Sequence, residues 1–277
     1  MALIDAHQHY WDPARGDYGW LTPDKTELYR GFGPADLAGI LARQKISGTI
    51  LVQAAPTLAE TDYLLGIADA TPSVLGVVGW IDFEDRTHRA HLARFARHPK
   101  FKGVRPMIQD IADPAWMLRP QLSWAFEALS AHELAFDALV LPRHLPALRL
   151  LLARHPALRA VIDHGAKPDI RSGHLARWAA ETAHIAHESG AYVKLSGLVT
   201  EAAPGWSEAD LAPYTAHMLA VFGPARMIFG SDWPVCLMAG TYESWLKTAR
   251  NLTKHLTPAD QAAIFGANAR RFYRLQA

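Results

Sequence analysis

The chain has 277 residues, 50% of them hydrophobic and 20% charged, with 28 Lys and Arg against 27 Asp and Glu and a formal net charge of +1. That balance suits a globular fold with a large core and excludes the strongly basic surface of a nucleic-acid or anionic-membrane binder. The single cysteine, Cys236, excludes an internal disulfide, and with no secretory leader or membrane-length apolar run a cytoplasmic protein is expected.

Short apolar or β-branched runs alternate along the chain with longer segments of helical spacing. LIDAHQH (3–9) comes first, followed by PADLAGILARQK, whose Pro34 suits a first helical turn. GTILVQ (48–53) precedes LAETDYLLGIADA, and VLGVVGWID (74–82) precedes DRTHRAHLARFARH. FKGVRP (101–106) is followed by RPQLSWAFEALSAHE, and LAFDALV (134–140) by LPALRLLLARHP. RAVIDHG (159–165) leads into SGHLARWAAETAHIAHESG, AYVKLSG (191–197) into SEADLAPYTAHMLAVFG, and RMIFGSD (226–232) completes the series. Gly190 and Gly223 fall where helix C-terminal caps are expected. Eight such units in roughly 250 residues predict an α/β fold, a single-domain (β/α)8 TIM barrel over residues 1–277. A doubly wound sheet would place a Gly-rich phosphate turn after the first strand. The segment from His7 to Trp11 has no glycine, and GFG at 31–33 reads as a turn.

Active sites of such barrels form at the C-terminal ends of the strands. Alternation points His7 and His9 inward, with Ile4, Ala6 and Gln8 on the other face. The second strand ends in Gln53 and the third in Trp80 and Asp82. The fourth carries Lys102 and Arg105 with opposite parity, and Arg105 lies nearer the end. Asp137 sits within the fifth, Asp163 and His164 close the sixth, Lys194 and Ser196 lie on the seventh, and Asp232 ends the eighth. With 14 histidines in the chain, chance supplies an HxH pair about 0.7 times, so His7 and His9 acquire meaning only in company. Burying unpaired charge is costly. Histidines on the first and sixth strands with an aspartate on the eighth point to chemistry more than to a polar plug.

HQHYW on the first strand, KGVRPMIQDI on the fourth, VIDHGAKP on the sixth, KLSGLVTEA on the seventh and FGSDWPVC on the eighth resemble the amidohydrolase superfamily. Together with the closing FGANARRFYRL they resemble, more narrowly, its lactonase branch, the sugar-lactone hydrolases, essentially from end to end. The resemblance implies hydrolysis of an aldonolactone, such as L-fucono- or L-galactono-lactone, to the sugar acid. Asp232 would be the general base that takes a proton from the attacking water. His164, His7 and His9 would bind water or substrate and stabilise the developing oxyanion. Many members of the superfamily bind one or two divalent ions through HxH, a fourth-strand Lys or Glu, fifth- and sixth-strand histidines and the eighth-strand aspartate. Here the fifth strand offers Asp137 in place of histidine, Lys102 lies early on its strand, and Arg105 cannot ligate, so a two-metal site is not expected. One zinc held by His7, His9 and Asp232, with Asp137 or His164, is chemically sensible. The lactonase branch includes members that work without a metal, and lactones need comparatively little activation, so no cofactor is expected to be required.

Trp11, Trp80, Trp233 and Tyr10 are candidates for walls that stack on a sugar ring. Arg105, Gln109, Asp110, Lys194 and Glu201 are candidates for binding hydroxyls or the product carboxylate. Because Arg105 is the one well-placed arginine, a neutral lactone is expected over a dicarboxylated one. Ser196 and Ser231 lack the G-x-S-x-G elbow, and Cys236 reads as an inert buried thiol. His88, His91, His132, His144, His155, His184 and His187 read as solvated helix faces or loops. The competing readings are a metal-dependent decarboxylase, a hydrolase of a muconolactone- or pyrone-type lactone, and a sugar-binding barrel without activity. A small-molecule lactone is the expected partner, with no nucleic acid or membrane; a homo-oligomer is compatible with the sequence, which fixes no assembly.

Overall fold

In a computed structural model, which describes residues 2–276, the apolar runs form eight parallel strands. They are β1 (Leu3–Gln8), β2 (Ile46–Val52), β3 (Val74–Gly79), β4 (Phe101–Val104), β5 (Ala135–Ala138), β6 (Ala160–Ile162), β7 (Tyr192–Leu195) and β8 (Met227–Phe229). The amphipathic segments between them form α1 (Pro34–Gln44), α2 (Leu58–Ala70), α3 (His88–Phe95), α4 (Ser123–Ala131), α5 (Leu145–Arg154), α6 (Ala176–Glu188), α7 (Leu198–Glu201) and α8 (Glu208–Phe222). Three more helices, α9 (Tyr242–Thr253), α10 (Pro258–Ala262) and α11 (Asn268–Phe272), follow the last strand. Each strand pairs with its sequence neighbour from β1 to β8. The circle is nearly closed by two hydrogen bonds just past the strand ends, Asp232 N to His7 O and His9 N to Trp233 O, each 2.7 Å. Gly223 caps α8 with a positive φ of 69°, whereas Gly190 has no positive φ: α6 ends on an extended Ser189 instead.

The first strand departs from simple alternation. Asp5 pairs with Thr49 but Gln8 with Leu51, so β1 spends one residue more than β2 over the same stretch. Such a bulge turns two successive side chains toward one face. Ile4 and Ala6 therefore do not oppose the histidines; they pack inside the barrel with Ile50, Val52, Val78, Ala135, Val161 and Ile228. His7 then also points inward, one layer higher, while Asp5 turns outward to accept hydrogen bonds from Ser231 N and Tyr242 OH.

The lower end of the barrel is filled by the end of the chain. Phe272, Tyr273 and Leu275 join the interior cluster of Ile4, Ile50 and Val78. The helices bury their apolar faces on the outside of the strands in a separate, larger core. Among the described residues no helix is long and apolar enough to cross a membrane.

Candidate active site

At the upper end of the barrel three imidazoles surround one carboxylate oxygen. His9 Nε2 lies 3.3 Å from Asp232 Oδ1, His7 Nε2 3.7 Å and His164 Nε2 3.9 Å. His164 and Asp232 occupy the left-handed backbone region, with φ of 53° and 58°. That conformation is costly for a residue with a side chain and is retained where surrounding structure enforces it. Two glycines make the close packing of the rings feasible. A Cβ on Gly197 would lie 2.4 Å from His164 Nδ1, and one on Gly230 would lie 2.5 Å from His7 Cβ. The outer ring nitrogens are held as well: His9 Nδ1 donates to Val52 O at 2.8 Å, and His164 Nδ1 bonds Ser196 Oγ at 2.9 Å.

Burial by itself would raise the Asp232 carboxyl, but His164, the His9 contact and His7 outweigh it and hold the group below its ordinary value. Asp232 is thus a carboxylate at neutral pH. Burial pushes His164 down to about 4, against the pull of Asp232 and Asp163, so this ring is neutral there. His7 is driven down by burial and then by the Lys194 charge, and His9 chiefly by burial.

Beneath His7 lies a sealed ion cluster. Lys194 Nζ is 2.5 Å from Asp137 Oδ2, 2.9 Å from Asp163 Oδ1 and 3.0 Å from His7 Nδ1, and all four residues are fully buried. An ammonium offers donors only, so His7 Nδ1 accepts and the neutral ring carries its proton on Nε2, toward Asp232. Burial would lift the Asp163 carboxyl, but Lys194 and His7 outweigh it and hold it well below the usual range. Arg105 Nη1 lies 3.4 Å from His7 Nε2, while its Nη2 donates to Gln53 O. Two N–H donors that close do not bond each other; Arg105 lines the cavity above, and His7, fully buried, lies directly behind it.

Above this floor opens a cavity of about 290 Å³ lined by His9, Arg105, Gln109, Asp110, His164, Glu201 and Asp232, among others. Several residues expected on its walls lie elsewhere. Trp11 is buried because its backbone pairs with Phe32 and its indole N–H donates to Leu28 O and Arg30 O, tying down the loop over residues 12–33. Tyr10 and Trp233 are buried edge-to-face against each other, and Trp233 also against Phe32. Trp80 lines an adjoining hollow of about 540 Å³. Lys194 reaches no substrate space, being sealed under His7. His144 is buried, its Nδ1 accepting from Leu141 N, where a solvated position was expected. The Cys236 thiol is buried and pushed well up by that burial, in keeping with an inert role.

In place of those aromatics the cavity has Trp20 and Lys25, delivered by the loop between β1 and α1, and Lys167, delivered by the loop after β6. Trp20 is anchored by its indole N–H donating to Ala54 O at 2.7 Å. No strand-end rule points to these three residues, because they sit on long connections whose path depends on tertiary contacts.

The residue types needed for a metal are present, in two groups among the described residues: His7, His9 and Asp232, and His7, Asp163 and His164. Asp137 belongs to neither, being occupied by Lys194 and Tyr273. Both groups depend on His7, whose Nδ1 takes a Lys194 proton and whose Nε2 carries its own, with the Arg105 guanidinium alongside. In this arrangement His7 has no free lone pair to give, so the residues as placed do not fit a metal ion.

The chain is similar over nearly its whole length to several known proteins. An L-fucono-1,5-lactonase of Burkholderia ambifaria is 45% identical over 276 residues, covering 98% of this chain and 95% of that protein. An L-fucono-1,5-lactonase of Burkholderia multivorans is 34% identical over 286 residues, covering 98% of this chain and 96% of its own length. A crystal structure of an amidohydrolase from Burkholderia multivorans, with bound zinc, superposes with a TM-score of 0.95 at 34% identity and covers 100% of both chains. The amidohydrolase family model matches residues 4–275, nearly the whole barrel, and the chain belongs to the amidohydrolase family.

Proposed function

We propose that this protein hydrolyses a sugar lactone to the corresponding sugar acid, with Asp232 as general base. The observation that carries the reading is the floor of the cavity, where the ionised Asp232 carboxylate stands beside the Arg105 guanidinium, with His7 Nε2–H buried directly behind both. A water held by Asp232 gives it a proton as the water oxygen attacks the lactone carbonyl carbon. The carbonyl oxygen, now negative, is held by Arg105 and His7. When the ring C–O bond breaks, the proton on Asp232 passes to the departing ring oxygen, so the base is regenerated and the product is a hydroxy acid. His9 Nε2 and His164 Nε2 flank the Asp232 oxygen at 3.3 and 3.9 Å.

The walls support a neutral, hydroxyl-rich substrate. Three cations, Lys25, Arg105 and Lys167, are matched by three carboxylates, Asp110, Glu201 and Asp232, leaving no surplus of positive charge for a dicarboxylate. Lys167 is moreover 3.8 Å from Glu201. Trp20 supplies an apolar face for the C–H side of a sugar ring. The two L-fucono-1,5-lactonases, similar over almost their whole length, favour a deoxyhexonolactone or a close stereochemical relative.

Turnover on this reading requires no metal, because His7 is engaged by Lys194 and flanked by Arg105. A screen of 1,4- and 1,5-aldonolactones with a pH indicator, beside carbon dioxide release from aromatic carboxylates, tests the assignment. Lactone opening that persists after chelation, with substoichiometric metal by elemental analysis, is expected. Carbon dioxide release without lactone opening would favour a decarboxylase, and zinc-restored activity would refute the metal-free mechanism.

A further inference from the structure

The ion cluster beneath His7 includes one group from the far end of the chain. Tyr273, fully buried, follows α11 in the segment that fills the lower barrel, and its hydroxyl donates to Asp137 Oδ2 at 2.7 Å. The same oxygen receives Lys194 at 2.5 Å, while Asp137 Oδ1 is buried without a hydrogen-bond partner among the described residues. Among the described residues, Tyr273 and Lys194 are thus the hydrogen-bond donors that Asp137 has. Lys194 in turn hydrogen-bonds Asp137 and His7, and its charge pairs with Asp163 Oδ1 at 2.9 Å.

We propose that Tyr273 is a positioning residue for the reaction, acting on His7 through Asp137 and Lys194 and fixing which ring nitrogen bears the proton. The rate consequence rests on the lactonase reading; the effect on His7 does not. The hydroxyl shares Asp137 Oδ2 with Lys194, so the ammonium stays between the two carboxylates and keeps one N–H on His7 Nδ1. Removal of the hydroxyl leaves Asp137 with Lys194 alone, and the ammonium moves toward that carboxylate and off the ring. His7 is then free to place its proton on Nδ1, toward Asp163 Oδ1 at 3.5 Å, and loses the N–H it presents to the site. A donor shifted or lost in this way lowers kcat more than it raises KM, because its oxyanion partner develops in the transition state.

Protein labelled with ¹⁵N-histidine tests this directly, the His7 signals being those absent from a His7→Gln sample. The parent should show His7 as the Nε2–H tautomer, and in Tyr273→Phe its two nitrogen shifts should move toward each other. Asp137→Asn, which leaves the C-terminal segment in place and weakens the pull of that side chain on the ammonium, should keep Lys194 on His7 Nδ1 and both shifts at the parent values, a readout that stands even if the phenylalanine variant folds poorly. On the best lactone, Tyr273→Phe should lose about tenfold in kcat with KM changed less than twofold. Leu275→Ala, in the same segment but outside the cluster, should lower Tm and leave kcat at the parent value. Unchanged His7 shifts in Tyr273→Phe, His7 shifts that move toward each other in Asp137→Asn, or an equal kcat loss in Leu275→Ala, would overturn the proposal. A parent protein that opens no lactone would sink the lactonase reading while the nitrogen shifts still decide the role of Tyr273.

Discussion

Asp232 owes its character to crowding: one oxygen faces three imidazoles within 3.9 Å, and their influence outweighs a burial that would otherwise protonate it. The residues of this floor were legible in the sequence because chemistry-bearing types cluster at strand ends. Depth was not legible. Lys194 lies on an inner face as expected, but His7 covers it, and Lys194 serves His7 where a contact to substrate was anticipated. Trp11 and Trp233 were misplaced for a related reason, since an aromatic near a strand end packs inward whenever a loop folds back over it. Arg105 is the clearest single-residue test of the oxyanion site. Arg105→Met keeps an aliphatic stem and removes the guanidinium donors; kcat should fall by about a hundredfold or more, with a smaller effect on KM. Stopped assays under saturating lactone would measure it, and a variant within threefold of the parent would remove Arg105 from the mechanism.

Among the elements, the strands were readable because runs of β-branched and apolar residues bounded by polar segments have few other uses. The β1 bulge was not, since an extra residue leaves the pattern intact while shifting the face. The loop over residues 12–33, which brings Trp20 to the cavity, has no periodicity to read. Its anchor is Glu60 near the start of α2, fully buried, accepting from Tyr18 OH at 2.8 Å and Ala54 N at 3.2 Å. Burial lifts the Glu60 carboxyl from 4.5 to about 7 despite these hydrogen bonds. Between those values the unfolded chain ionises while the folded protein keeps its proton, so stability falls as pH rises and the loss is complete above about 7. The effect is on the order of 3 kcal/mol. Glu60→Gln retains an acceptor and removes the charge, so its Tm relative to the parent should climb from pH 4.5 to 7; a pH-independent difference would refute this assignment.

For the molecule as a whole, the order of eight strand–helix units made the barrel legible from end to end, because parallel neighbours need a crossover between them. What filled the lower end was invisible: FYRL reads as the tail of an amphipathic helix, and only closure of the sheet shows that Phe272, Tyr273 and Leu275 have an interior to occupy. The barrel thus carries one continuous polar column, from Tyr273 through Asp137, Lys194 and His7 to Asp232 at the cavity. Its purpose on the present account is to aim a base and two donors at a lactone. The most direct test is the steady-state rate of aldonolactone opening by the parent and by Asp232→Asn, with circular dichroism to establish that both are folded. Efficient opening by the parent is expected, with a loss of about a hundredfold to ten-thousandfold in kcat for the variant. Near-parental turnover by a folded Asp232→Asn protein would contradict it.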